Sequence, residues 1–140
     1  MTRFGTPSAS LAAVDTTLAV AAGGMWVDGT SFDTKHGTDD LLAAYVAAQF
    51  ASTNAGSTNG QDLEVIVQFS DDNTNWPDDG EGHPIYAYAD STAGADLTLS
   101  RLCEFAPSFR YARFQYRNNN ATDAVSVSSE VAKFYQEDNA

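Results

Sequence analysis

Seven carboxylate or amide side chains crowd into eleven residues: Asp71, Asp72, Asn73, Asn75, Asp78, Asp79 and Glu81. Carboxylates and amides are hard ligands, and the chemistry they offer at this density is capture of Ca²⁺. Asp71, Asp72, Asn73, Asn75 and Asp78 are the candidate ligands. The spacing departs from the EF-hand loop. Trp76 stands where that loop needs its sharp-turn glycine, and Gly82 stands where it needs a bidentate glutamate. The plainer reading is a solvated turn whose Asp and Asn side chains bond nearby backbone groups, with no cofactor. Like charges repel in so short a loop, so a cation or a partner's arginine would steady it.

Arginine is the second constellation. Arg110, Arg113 and Arg117 fall on one strand or its ends, in a chain with only seven basic residues. A spacing of four puts Arg113 and Arg117 on one face of a strand. They pair either with the chain's own acids or with an acidic neighbour, the 71–81 loop of a sister copy being a natural complement. Exposed ion pairs contribute about 0–1 kcal/mol each, so apolar contacts must carry most of any affinity. Trp26, Trp76, Tyr86, Tyr88, Tyr111 and Tyr116 offer a third chemistry, a platform on which a sugar ring can stack. The same aromatics serve a core or an interface equally well.

Other chemistries lack their residues. His36 and His83 sit in separate polar loops without metal-ligand spacing. No Gly-x-Ser-x-Gly elbow, phosphate loop or dinucleotide glycine pattern is present. A glycosidase needs two convergent carboxylates, and none of the 19 acids can be singled out as such a pair. No enzyme is expected. Cys103 is the one cysteine, so no intrachain disulfide can form, and it reads as a small apolar side chain. The net charge of −12 argues against nucleic acid and anionic lipid as partners. The opening residues lack a basic region followed by an apolar run, so synthesis in a cytosol without a signal peptide is expected.

The elements that must position these groups are strands. A chain of 140 residues with 43% hydrophobic content suits one domain with a real core. Residues 63–69 alternate Leu63, Val65, Val67 and Phe69 against Glu64 and Gln68, the period of a half-buried strand. Residues 109–117 place Ala112, Phe114 and Tyr116 opposite Arg113, Gln115 and Arg117. Residues 124–134 follow a turn at 118–123 and are expected to pair back on them as a hairpin, with Val125, Val127 and Val131 on one face. Shorter strands are expected at 16–21, 25–28, 31–32, 85–89 and 97–102. Residues 41–51 are ambiguous. Alanine content and Thr38, Asp39 and Asp40 at the front describe a helix, and alternation of Tyr45, Ala47, Gln49 and Ala51 with Ala44, Val46, Ala48 and Phe50 describes a buried strand. Read as a strand, the segment makes a long hairpin with 63–69 through the Asn59-Gly60 turn. The fold expected is all-β: an antiparallel β-sandwich or jelly roll of about seven to nine short strands. It carries an extended N-terminal arm at 1–14, a sandwich domain at 15–135 and a frayed tail at 136–140.

One resemblance stands on quoted residues. Gly37-Thr38-Asp39-Asp40-Leu41-Leu42, the strand and turn running from Leu63 to Trp76-Pro77, the later Pro107-Ser108-Phe109-Arg110-Tyr111-Ala112-Arg113-Phe114 and the Asn118-to-Asp123 turn together resemble small β-sandwich virion proteins of tailed bacteriophages. The resemblance covers roughly residues 37–135, and the insertion at 51–62 departs from it. It implies a capsid decoration, or cement, protein on the virion surface, made in the host cytoplasm, that bridges major capsid subunits as a homotrimer. Partner contacts are then expected from Arg3 and Phe4 of the arm and from Arg110, Arg113, Arg117 and Trp76. The competing reading is a carbohydrate-binding module or a tail-fibre accessory protein.

Overall fold

The computed structural model describes residues 2–7, 11–35, 41–54, 61–90, 97–120 and 123–138. Ten strands succeed one another among them: β1 (Thr2–Pro7), β2 (Ala12–Val20), β3 (Trp26–Asp28), β4 (Phe32–Asp33), β5 (Tyr45–Asn54), β6 (Gln61–Ser70), β7 (His83–Asp90), β8 (Leu97–Phe105), β9 (Tyr111–Asn118) and β10 (Val125–Asp138). The chain doubles back on itself once. β6 pairs with β7, β5 with β8, β3 and β4 with β9, and β2 with β10, every pair antiparallel. Successive rungs of this doubled ribbon fall alternately in one sheet and the other. Pairing of β10 with β5 and of β9 with β6 closes the sheets. One sheet runs β2-β10-β5-β8, with β1 continuing the β2 edge. The other runs β3-β9-β6-β7, with β4 continuing the β3 edge. The result is an all-β antiparallel sandwich with the wrapping of a jelly roll. The strand number exceeds expectation because each sheet has an edge made of two consecutive pieces.

The inner faces supply the core. Phe50 lies at its centre, stacked on Tyr86 at 5.8 Å and edge-on to Phe114 at 4.9 Å and Tyr116 at 6.5 Å. Val46, Ala48, Leu63, Val65, Val67, Ala112, Val125 and Val127 surround it, all buried. Cys103 forms no disulfide and is half-buried against this cluster.

The ambiguous segment is strand β5. Its neighbours on both sides, β10 and β8, supply full ladders. That tertiary pairing outweighs the small helix preference of alanine.

Two expected hairpins are not hairpins. β5 and β6 lie in opposite sheets, and so do β9 and β10. Alternation tells which face of a strand is apolar, and an arch between two sheets satisfies that pattern as well as a hairpin does. The turn after β9 is built as an arch. Asn118 Nδ2 donates to the carbonyls of Val20 (3.3 Å) and Asp123 (2.8 Å). The Gly23 and Gly24 amides, on the parallel arch from β2 to β3, donate to the carbonyls of Asn120 and Asn118. The Asn59-Gly60 turn and the Thr38–Asp40 cap lie outside the described residues, as does His36.

The expected arm and tail also find each other. Residues Thr2, Arg3 and Phe4 of β1 stand opposite Asp138, Glu137 and Gln136 at the end of β10. The expected boundary at residue 14 falls inside β2.

Candidate functional site

The period of β9 turns Arg113, Gln115 and Arg117 to the outer face of their sheet. The register with β6 sets Gln68, Ile66 and Glu64 beside them in turn. The register with β3 brings Trp26 beside Arg117 and Asp28 beside Gln115. A flat polar row would ordinarily face water. Here Gln68 and Gln115 are fully buried, because the loop after β6 folds back over them.

The two glutamine amides hold that loop down. Gln68 Nε2 donates to the carbonyls of Asp78 (2.9 Å) and Glu81 (3.0 Å). Gln115 Nε2 donates to Asp28 Oδ1 (2.7 Å) and Asp79 Oδ1 (2.9 Å), and its Oε1 accepts the Gly80 amide at 3.0 Å. Gly80 has a φ of +80°, and a Cβ there would come within 2.7 Å of Trp26 Nε1, so both backbone geometry and space require glycine.

Arg110, Arg113 and Arg117 each find partners within the chain. Arg113 bonds Gln68 Oε1 at 3.0 Å, pairs with Asp28 at 3.3 Å and lies over the Trp76 ring at 4.6 Å. Arg117 forks onto both oxygens of Glu64 at 2.9 and 2.8 Å and lies over the Trp26 ring at 4.7 Å. Asn119 Nδ2 also donates to Glu64, at 2.8 Å. Arg110 pairs with Asp33 at 3.2 Å and remains the most exposed of the three. Of the two pairings open in the sequence, the arginines take the one with acids of their own chain, and the acidic loop shares their face in one copy. Arg3 and Phe4 lie on β1, in the opposite sheet.

The candidate Ca²⁺ ligands divide by role. Asp72 closes its own turn. Its Oδ1 accepts the amides of Thr74 (2.9 Å) and Asn75 (2.8 Å) and the Ser70 hydroxyl (2.9 Å), and its Oδ2 accepts Asn75 Nδ2 (2.6 Å). Asn73 takes the left-handed conformation, φ 60°, that asparagine tolerates. Asp71 and Asp78 are exposed. Among the described residues no group of three or more His, Cys, Asp or Glu side chains is placed to hold a metal.

Asp72 gives a pH prediction. The Asn75 and Thr74 amides, with the Asn75 and Ser70 side chains, hold its carboxyl well below the usual carboxylate range. A depressed folded-state value stabilises the fold above the free-carboxylate value of about 3.9, and that contribution is lost as pH falls below it. Asp72→Asn keeps the turn's acceptor and removes the titration. Thermal melts between pH 6 and pH 3 should therefore fall more steeply for the native protein than for the variant. Parallel curves would remove Asp72 from the acid response.

Two clefts are lined by residues of β6 and β7. One, of about 390 Å³, lies between Trp26, Glu64, Ile66 and Arg117 and the loop Asp79–Gly82, with Pro84 and Ala87 at its margin. The other, of about 260 Å³, is lined by Phe69, His83, Glu104 and Phe105. His83 rests against the Phe69 ring at 5.9 Å.

Sequence reasoning missed Asp15. Its carboxylate is buried and accepts the Tyr116 hydroxyl at 2.6 Å, the Ser129 hydroxyl at 3.1 Å and the Thr30 amide at 2.8 Å. Burial and this carboxylate push the Tyr116 hydroxyl far above the ordinary phenol range. Each donor comes from a different part of the fold, and the cluster clamps β2 to the opposite sheet. Glu64 and Asp28 were also missed, although a strand register would have set Glu64 against Arg117.

No protein-family model matches the chain, and no curated protein matches it. Among solved structures, dimeric latent PorU from Porphyromonas gingivalis is similar over 89% of this chain and 12% of its own length, with a TM-score of 0.49 and 13% identity. The chain therefore spans a small part of that structure.

Proposed function

We propose that the chain is a non-enzymatic structural protein of a phage particle, a capsid decoration protein that bridges and stabilises major capsid subunits. The observation that carries this reading is the meeting of the two chain ends. Pairing of β10 with β5 stops at Phe134 opposite Tyr45, while β10 continues to Asp138 with β1 at its other side. The ends thus leave the sheet as a two-stranded ribbon, and a strand edge of that kind offers main-chain donors and acceptors to a neighbour. The outer face of β9 is already braced by its own acids, which leaves it a rigid surface and the ribbon the attachment element. Arg110, the most exposed arginine of the row, supports the rim of such a contact. Trimeric association follows the resemblance noted in the sequence, and many copies on one particle give avidity without strong single contacts.

A truncation tests the attachment, and it must spare β2 with its buried Asp15. Removal of residues 1–9 should leave the circular dichroism spectrum of the sandwich intact. Coating of particles stripped of this protein should weaken by roughly a hundredfold, the scale of lost avidity. Undiminished coating by the shortened chain would contradict the attachment role of the ribbon.

A further inference from the structure

We propose that the cleft beside Trp26 is a binding site for a neutral saccharide. Its volume of about 390 Å³ lies within the range of small-ligand sites, about 300–1,000 Å³. The inference stands apart from the assembly reading and rests on the cleft alone.

The wall is aromatic and rigid. Trp26 is held between the Arg117 guanidinium, 4.7 Å from its ring, and the Gly80 backbone. Pro84 and the buried Ile66 extend the apolar surface. A pyranose presents a face of C–H groups that needs such a wall, and a rim of hydroxyls that both donate and accept.

The rim matches those hydroxyls. Arg117 and Glu64 lock each other in a forked pair, and Asp79 is fixed by Gln115. Donor and acceptor groups thus surround the cleft at low cost in side-chain freedom on binding. Charge narrows the ligand's class. Glu64, Asp79 and Glu81 at the margin repel an anion, and the Arg117 guanidinium in the wall cancels the charge of Glu64. Trp76 does not line this cleft and lies instead against Arg113. The inference therefore assigns the sugar to one tryptophan and not the other.

The test uses the full chain on an array of neutral gluco-, galacto-, manno- and N-acetylglucosamine oligosaccharides. The expected result is binding to at least one class with a dissociation constant on the order of 1 mM or tighter. Titration with the bound oligosaccharide should shift the indole N–H resonance of Trp26 and leave that of Trp76 in place. Ala87 is exposed at the cleft margin, across the ladder from Glu64. Ala87→Arg should fill the cleft and weaken binding by at least about tenfold, while Trp76→Phe binds as the native chain does. The proposal is overturned by silence of the array with an unmoved Trp26 resonance. It is equally overturned by native-like binding in folded Ala87→Arg, or by binding confined to acidic sugars or polyamines.

Discussion

Asp15→Ala lowers the free energy of unfolding by about 3–5 kcal/mol, read from urea denaturation. The carboxylate is 5% exposed and takes three hydrogen bonds, from Tyr116 on β9, Ser129 on β10 and the Thr30 amide after β3. Hydrogen bonds to a charged group contribute about 1.5–3 kcal/mol each, and partners of one group do not add in full. The larger cost is what truncation leaves behind. The Tyr116 hydroxyl, on a residue with no exposure, loses its acceptor in a place water does not reach. Gly29 shows how closely the site is packed, since a Cβ there would stand 2.5 Å from Asp15 Oδ2 and 2.9 Å from the Phe114 carbonyl. Tyr116→Phe removes one donor and should cost less, about 1–3 kcal/mol. In the double variant the two losses should fall short of their sum, because they share one bond. A change below about 1 kcal/mol in Asp15→Ala would show that the carboxylate is not part of the clamp.

Phe50→Ala has an effect of the same size, about 3–5 kcal/mol. Phe50, on β5, is 1% exposed and touches three rings of the opposite sheet, Tyr86 on β7 and Phe114 and Tyr116 on β9. Removal of its ring leaves a void that β5, β7 and β9 cannot close together, because their ladders hold them in place. The denaturation midpoint should drop while the denaturant slope stays the same, the signature of lost stability without a change in the unfolded chain. A cost near that of a surface change, about 0.5 kcal/mol, would place Phe50 outside the core.

Both residues show where reading the sequence works and where it stops. Phe50 shares the face of Val46 and Ala48, so its inward direction follows from the strand assignment. Asp15 does not follow, because β2 carries an extra residue on either side of it. Val127 stands opposite Leu18, yet Ser129 stands opposite Asp15, so two residues of β10 face three of β2. Thr17, at a φ of 46°, absorbs the difference. The bulge reverses the phase of the strand and turns an acid into the core. No local pattern announces that reversal.

The sequence by itself determined the class of fold and the faces of its main strands. Alternation at 63–69, 111–117 and 125–131 separates inner from outer side chains because successive residues of a strand point to opposite sides. It also located the acidic loop and the arginine row. Only the tertiary structure decided which strands are partners, since period 2 fixes a face and leaves the neighbour open. It decided that the loop after β6 closes over the arginine row of its own chain, which buries Gln68 and Gln115 at positions whose period points outward. It also paired the two chain ends. Those outcomes depend on backbone groups far apart in sequence finding each other's donors and acceptors, and a residue's type carries no record of that distance.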